Sequence, residues 1–141
     1  MNASVRLNPL ISALLLGIAL VAALNALWML AHAMSWFAWI PGVSDTGTPN
    51  GHFIRDVGIA FAVAAGGLVW VVRHPQRGYP VLVGITLFVG GHALGHVIEI
   101  LTGHLPVNHW WVDFPLVFAP AIALAVISWP SVWDKLMSTS G

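Results

Sequence analysis

His92, His96 and Glu99 stand inside an otherwise apolar stretch, Gly90-Gly91-His92-Ala93-Leu94-Gly95-His96-Val97-Ile98-Glu99. On a helix turning ~100° per residue the three side chains fall within about 60° of one another. Two imidazoles one turn apart can converge on a single ion, and a third oxygen or nitrogen donor completes a transition-metal site. The expected ligands are His92 and His96 with His52, Asp56 or Glu99, the remaining carboxylates orienting the imidazole N–H groups. The chain has no cysteine. Thiolate ligation, disulfides and cysteine nucleophiles are therefore excluded, and any metal must be held by nitrogen and oxygen, which suit copper, zinc and iron alike.

The elements that must position these groups are membrane-crossing helices. The chain is 58% hydrophobic and 7% charged over 141 residues, too few charges to coat a water-facing surface. Its apolar residues form four long runs, each near the roughly 20 residues a helix needs to cross the hydrocarbon core. The expected fold is an all-α integral membrane protein, a single domain over residues 1–141 built as a four-transmembrane-helix bundle, with helices at about 9–39, 52–72, 80–102 and 112–133. Arg6, the leucine-rich run and Ala31-His32-Ala33 imitate a secretory signal peptide. The run is longer than a signal core of about 7 to 15 residues, which favours a crossing. Pro120, inside the last run, predicts a kink because the carbonyl of Leu116 loses its helical partner. Five basic residues balance five acidic ones, leaving no basic surface for nucleic acid.

Arg6, Arg73, Arg77 and Lys135 fall in the N-terminus, the second loop and the C-terminus, while the other two loops contain neither lysine nor arginine. The positive-inside rule then places both termini in the cytoplasm and the chain in the inner membrane as a multi-pass protein. Trp28, Trp36, Trp39, Trp110 and Trp111 gather at the opposite boundary, as an aromatic belt requires.

This topology delivers chemistry from four segments to one level. His32 ends the first helix, His52, Arg55 and Asp56 open the second, His92, His96 and Glu99 occupy the upper half of the third, and His109 and Asp113 open the fourth. Of the histidines only His74 lies on the other side. Ionisable groups within a span are costly and face a partner or a cavity, so the metal site is expected toward the outer, periplasmic face, with His32, Arg55, His109 and Asp113 in support. Arg55, the one cation at that end, is expected to pair with Asp56, Glu99 or Asp113. Gly84, Gly91 and Gly95 line a stripe beside the polar face where another backbone could approach.

Two other readings compete. Haem could sit between His52 or His32 and His92 or His96 on facing helices, with Gly91 and Gly95 making room. Without any cofactor, Glu99, Asp56 and the histidines could form a proton relay in an accessory subunit of a larger membrane complex or a homo-oligomer. No constellation of nucleophile and base points to a particular enzyme activity.

His52-Phe53-Ile54-Arg55-Asp56-Val57-Gly58 together with His92-Ala93-Leu94-Gly95-His96-Val97-Ile98-Glu99 resembles a pattern in small four-helix bacterial inner-membrane proteins. The resemblance implies the four-helix fold and brings no activity with it. His92 and His96 also resemble one histidine box of the membrane-bound fatty-acid desaturases and hydroxylases. Those have several boxes on the cytoplasmic side, so nothing is carried over.

Reporter fusions at Lys135 and within the 41–51 loop should report opposite compartments, the former cytoplasmic. A periplasmic reading at Lys135 would invert the site's placement.

Overall fold

The computed structural model describes residues 5–139, and the chain is all-helical apart from one short strand pair. Helix α1, Pro9–Ala31, opens with proline at its first position and the Asn8 side chain accepting the Leu10 N–H at 2.9 Å. Both features satisfy a helix start. A single helix over 9–39 is not what forms. His32 leaves helical geometry (φ −140°, ψ 57°) and a separate helix α2, Ala33–Trp39, follows. The physical reason is Asn25, a polar residue in an apolar helix, whose Oδ1 accepts the indole N–H of Trp36 at 2.8 Å. Eleven residues along a straight helix span about 16 Å, so this bond requires α2 to bend back on α1.

Helix α3, Gly51–Arg73, starts where the Asn50 side chain accepts the N–H groups of His52 and Phe53. It packs on α1 through small residues. Ala19 and Ala26 of α1 are buried, and Gly58 lies so close to α1 that a Cβ there would stand 2.9 Å from the Met29 Cβ and 3.4 Å from the Ala26 carbonyl oxygen. Close backbone approach of this kind is how helices associate where lipid removes the hydrophobic drive.

Helix α4, Pro75–Leu101, follows α3 through His74 alone (φ −133°, ψ 60°). It therefore begins a turn and a half before the expected start at Pro80. Residues 75–79, read from sequence as part of a turn, are helical because Pro75 occupies the first position and Gly78 lets α4 lie on Val71, whose Cα would be 3.0 Å from an added Cβ. The expected approach along Gly84, Gly91 and Gly95 does not occur. A Cβ on any of them would meet nothing within 4 Å, so this stripe faces away from the described residues.

The last segment is broken. Helix α5, His109–Val112, passes into a π-helical turn, Phe114–Phe118, and then into α6, Ala119–Ile127. The carbonyl of Asp113 accepts N–H groups from both Val117 (2.8 Å) and Phe118 (3.3 Å). Pro115 lies within this wide turn and Pro120 just beyond it, each withholding an N–H from the ladder. The irregularity expected at Pro120 thus lies in the turn before it. A larger bend, 78°, separates 114–127 from α7, Pro130–Leu136. It falls where Trp129, the residue before proline, is extended (φ −64°, ψ 126°).

The chain ends meet in a strand pair absent from the sequence reading. β1, Val5–Leu7, runs antiparallel to β2, Met137–Thr139, with Leu7 opposite Met137. Leu7 is buried with Leu15, Leu68, Val71, Leu124 and Trp133. Both ends of the described chain therefore lie at one end of the molecule. Three helices, α1, α3 and α4, are long and apolar enough to cross a membrane, and the bent pair 114–127 with 130–136 makes a fourth if it is one span. Large apolar side chains such as Leu10, Val63, Leu87 and Leu101 are exposed along them, as lipid-facing surfaces are.

Gly58→Leu should separate α1 from α3 and lower the melting temperature in detergent, an overpacking cost of at least about 1 to 3 kcal/mol. An unchanged transition would mean that the α1–α3 contact does not hold the fold together.

Candidate metal centre

The polar face of α4 reaches its partners through His96. Its Nδ1 lies 2.8 Å from Asp113 Oδ2, and the same oxygen lies 2.9 Å from Nδ1 of His109, one helical turn before it in sequence. On the far side of the ring, His109 Nε2 is 3.1 Å from Asp45 Oδ2. The His109 side chain is 1% exposed and that of Asp113 8%, whereas Asp45 is 44% exposed at the mouth of the cluster. One donor atom from each of His96, His109 and Asp113 falls within a group no more than 4.8 Å across, a set able to hold a metal ion.

Local structure explains how three segments meet. Asp113 ends the α5 turn four residues after His109, which puts both on one face. Its carbonyl is the acceptor that opens the π turn, so the backbone irregularity and the ligand carboxylate share a residue, a placement π turns often have at functional sites. Asp45 is presented by a short 3-10 turn, Val43–Thr46, closed by the Asp45 N–H to the Gly42 carbonyl at 3.1 Å. Gly42 takes a left-handed conformation (φ +81°), and a Cβ there would be 2.7 Å from His109 Cε1. The first loop therefore lies directly on the imidazole.

The hydrogen bonds fix the protonation pattern. An imidazole can face carboxylates with both nitrogens only by donating from both, which makes it an imidazolium. Burial pushes the His109 pKa down, but the hydrogen bonds to Asp113 and Asp45 outweigh it, and the net shift is upward. His109 then sits as the donor between the Asp113 and Asp45 carboxylates. A divalent ion held by these residues would compete with the proton of His109. The donor set, two imidazoles and one carboxylate, is that of open zinc and non-haem iron sites, and a carboxylate on the outer nitrogen is the usual support for a ligating histidine.

The remaining candidates are placed as follows. His92 is half-buried, its ring 4.8 Å from that of His96 and 5.8 Å from Phe61 of α3. His52 and Asp56 pair with each other at 3.5 Å, with 87% and 55% of their side chains exposed, and lie outside the metal-competent group. Glu99 is exposed. Its backbone carbonyl accepts the N–H groups of His104 and Leu105 where α4 ends. His32 is exposed at the α1–α2 break. Arg55 does not form the expected ion pair among the described residues. Its guanidinium donates to the carbonyls of Gly51 (3.0 Å) and Leu30 (3.4 Å), at the carboxyl end of α1 where a cation complements the helix dipole.

His109 and Asp113, read from sequence as supporting residues, thus join His96 in the group. Asp45 is not among the residues the sequence places at the site. The signal it offered was its position: an acid in a loop with no lysine or arginine, at the level shared by the histidines. No protein-family model, curated protein or solved structure matches the chain.

Gly42→Ala should force a left-handed alanine and a clash with the His109 ring, costing about 1 to 3 kcal/mol. A lowered melting temperature in detergent checks this, and an unaltered one would show that the loop does not rest on His109.

Proposed function

We propose that this chain is a four-crossing inner-membrane protein that binds a transition-metal ion through His96, His109 and Asp113, with Asp45 supporting His109 and His92 at its edge. The observation that carries the proposal is the convergence of two imidazoles and a carboxylate from α4 and α5 on one point. Buried ionisable groups are costly in low dielectric, and an ion shared between them offsets part of that cost. Because the ion displaces a proton from His109, affinity should fall as the solution becomes acidic.

Several features favour the topology. The β1–β2 pairing holds both chain ends together, which suits an even number of crossings. Arg6, Arg73, Arg77 and Lys135 belong to that end, which by the positive-inside rule faces the cytoplasm. The site then lies toward the periplasmic face, and the exposed apolar side chains meet lipid.

One observation favours a second reading. Among the described residues no buried side-chain nitrogen or oxygen lacks a hydrogen-bond partner, so the cluster is satisfied as a latch between loop and helices without any ion. In that reading the protein is a cofactor-free subunit whose histidines and carboxylates relay protons.

Elemental analysis and an absorption spectrum of the purified protein separate these readings. The metal reading expects a stoichiometric transition metal, no Soret band, and loss of the metal in His109→Ala and Asp113→Ala but not in His52→Ala. A Soret band would support haem, and absence of any metal would support the relay.

A further inference from the structure

The group formed by His96, His109 and Asp113 is walled on one flank and roofed on the other. Behind His96, the His92 ring stands 4.8 Å away and meets Phe61 at 5.8 Å, and Phe61 in turn packs edge-on against Phe88 at 5.5 Å. A hydrated ion does not enter through such an aromatic wall, because nothing there replaces its water. On the other flank the 3-10 turn Val43–Thr46 covers His109, whose side chain is 1% exposed, while residues 44–50 are exposed throughout. The turn is compact in itself: the Thr46 hydroxyl donates to the Val43 carbonyl at 2.7 Å, and the Asp45 N–H to the Gly42 carbonyl at 3.1 Å. Both its ends are glycines with positive φ, Gly42 at +81° and Gly47 at +118°, and a Cβ on Gly47 would meet nothing within 4 Å. Glycines in such conformations can absorb a swing of the segment between them. The turn is fastened to the site by the Asp45 carboxylate on Nε2 of His109 at 3.1 Å, a bond buried at the imidazole and open to solvent at the carboxylate.

We propose that residues 43–46 form a lid over the metal site, hinged at Gly42 and Gly47 and latched by Asp45 on His109, through which the ion passes between the outer water and the group of His96, His109 and Asp113. The ion's route rests on the metal reading above, while the lid rests on the geometry of the loop. Opening breaks one charge-assisted hydrogen bond that water already reaches at its carboxylate end, and the turn moves as a unit because its remaining hydrogen bonds are its own. Asp45 thus acts on the site in two ways: closed, it orients the His109 ring, and its release uncovers that ring.

Two measurements on the full chain in detergent test this. The chain has no cysteine, so Ser44→Cys with Val107→Cys takes one pair of spin labels at exposed positions, the first on the lid and the second just before α5. Pulsed electron resonance should give a single distance with Asp45 in place and an added, longer population in Asp45→Ala. Asp45→Asn, which keeps an acceptor oxygen, should show less of it. One unchanged distance in all three would overturn the lid, whether or not a metal binds. Zinc added to the metal-free protein should load at least about ten-fold faster in Asp45→Ala, and EDTA should remove it faster by a similar factor, as the loss of one charge-assisted hydrogen bond implies. Faster removal with unchanged loading would reduce Asp45 to a support for His109 and overturn its role as a latch. Label distances that respond to Asp45 in a protein that binds no zinc would support the lid and refute the metal reading alone.

Discussion

A single carboxylate oxygen, Asp113 Oδ2, joins the outer half of this molecule. It takes hydrogen bonds from imidazoles on two different segments, His96 of α4 and His109 of α5, while His109 hands its other nitrogen to Asp45 in the first loop. Three stretches of chain far apart in sequence are thereby fixed to one point. Buried, charge-assisted hydrogen bonds are the stronger kind, and removing one partner leaves the others desolvated and unpaired. This oxygen and the apolar cluster of Phe118 with Ala93, Ile100 and Leu105 together hold α4 against the last segment, and the hydrogen bonds add a direction that apolar contact lacks.

The same constraint accounts for the irregular backbone nearby. The π turn after Asp113 turns Phe118 onto Ala93, Ile100, Leu105 and Ala121 and leaves Phe114 and Leu116 exposed. The prolines at 115 and 120 release carbonyls there, and the wide turn lets the Asp113 carboxylate reach both rings while the chain continues into α6. At the other end, the tight α3–α4 turn through His74, the β1–β2 pairing and the core around Leu7 and Trp133 hold the helices in register, and the Tyr79 hydroxyl of α4 donates to the Ser128 carbonyl at 3.0 Å. A firm base and a polar cluster at the opposite end are the two clamps of the structure.

Much of this was legible in the sequence, and the omissions have physical causes. Run lengths and the absence of charges marked the apolar helices, and helical periodicity put His92 and His96 on one face, as observed. Periodicity reports where a side chain points along its own helix. It says nothing about which neighbour lies opposite, and so His96 found Asp113 and His109 while His52 remained exposed with Asp56. The break at His32 was hidden because it depends on Asn25 finding Trp36, a contact that no local propensity encodes. Asp45 carried no signature of its own, since an acid among glycines and prolines reads as a turn. The glycines at 84, 91 and 95 matched a packing motif, yet the close approaches came at Gly58 and Gly78, where the hairpin connections bring backbones together.

The most direct measurement is X-ray absorption at the edge of the metal that accompanies the purified protein. The account predicts a shell of nitrogen and oxygen at about 2.0 to 2.2 Å with the multiple scattering of two imidazoles, one of which disappears in His109→Ala. A porphyrin pattern, a shell unaffected by His109→Ala, or no metal edge at all would contradict it.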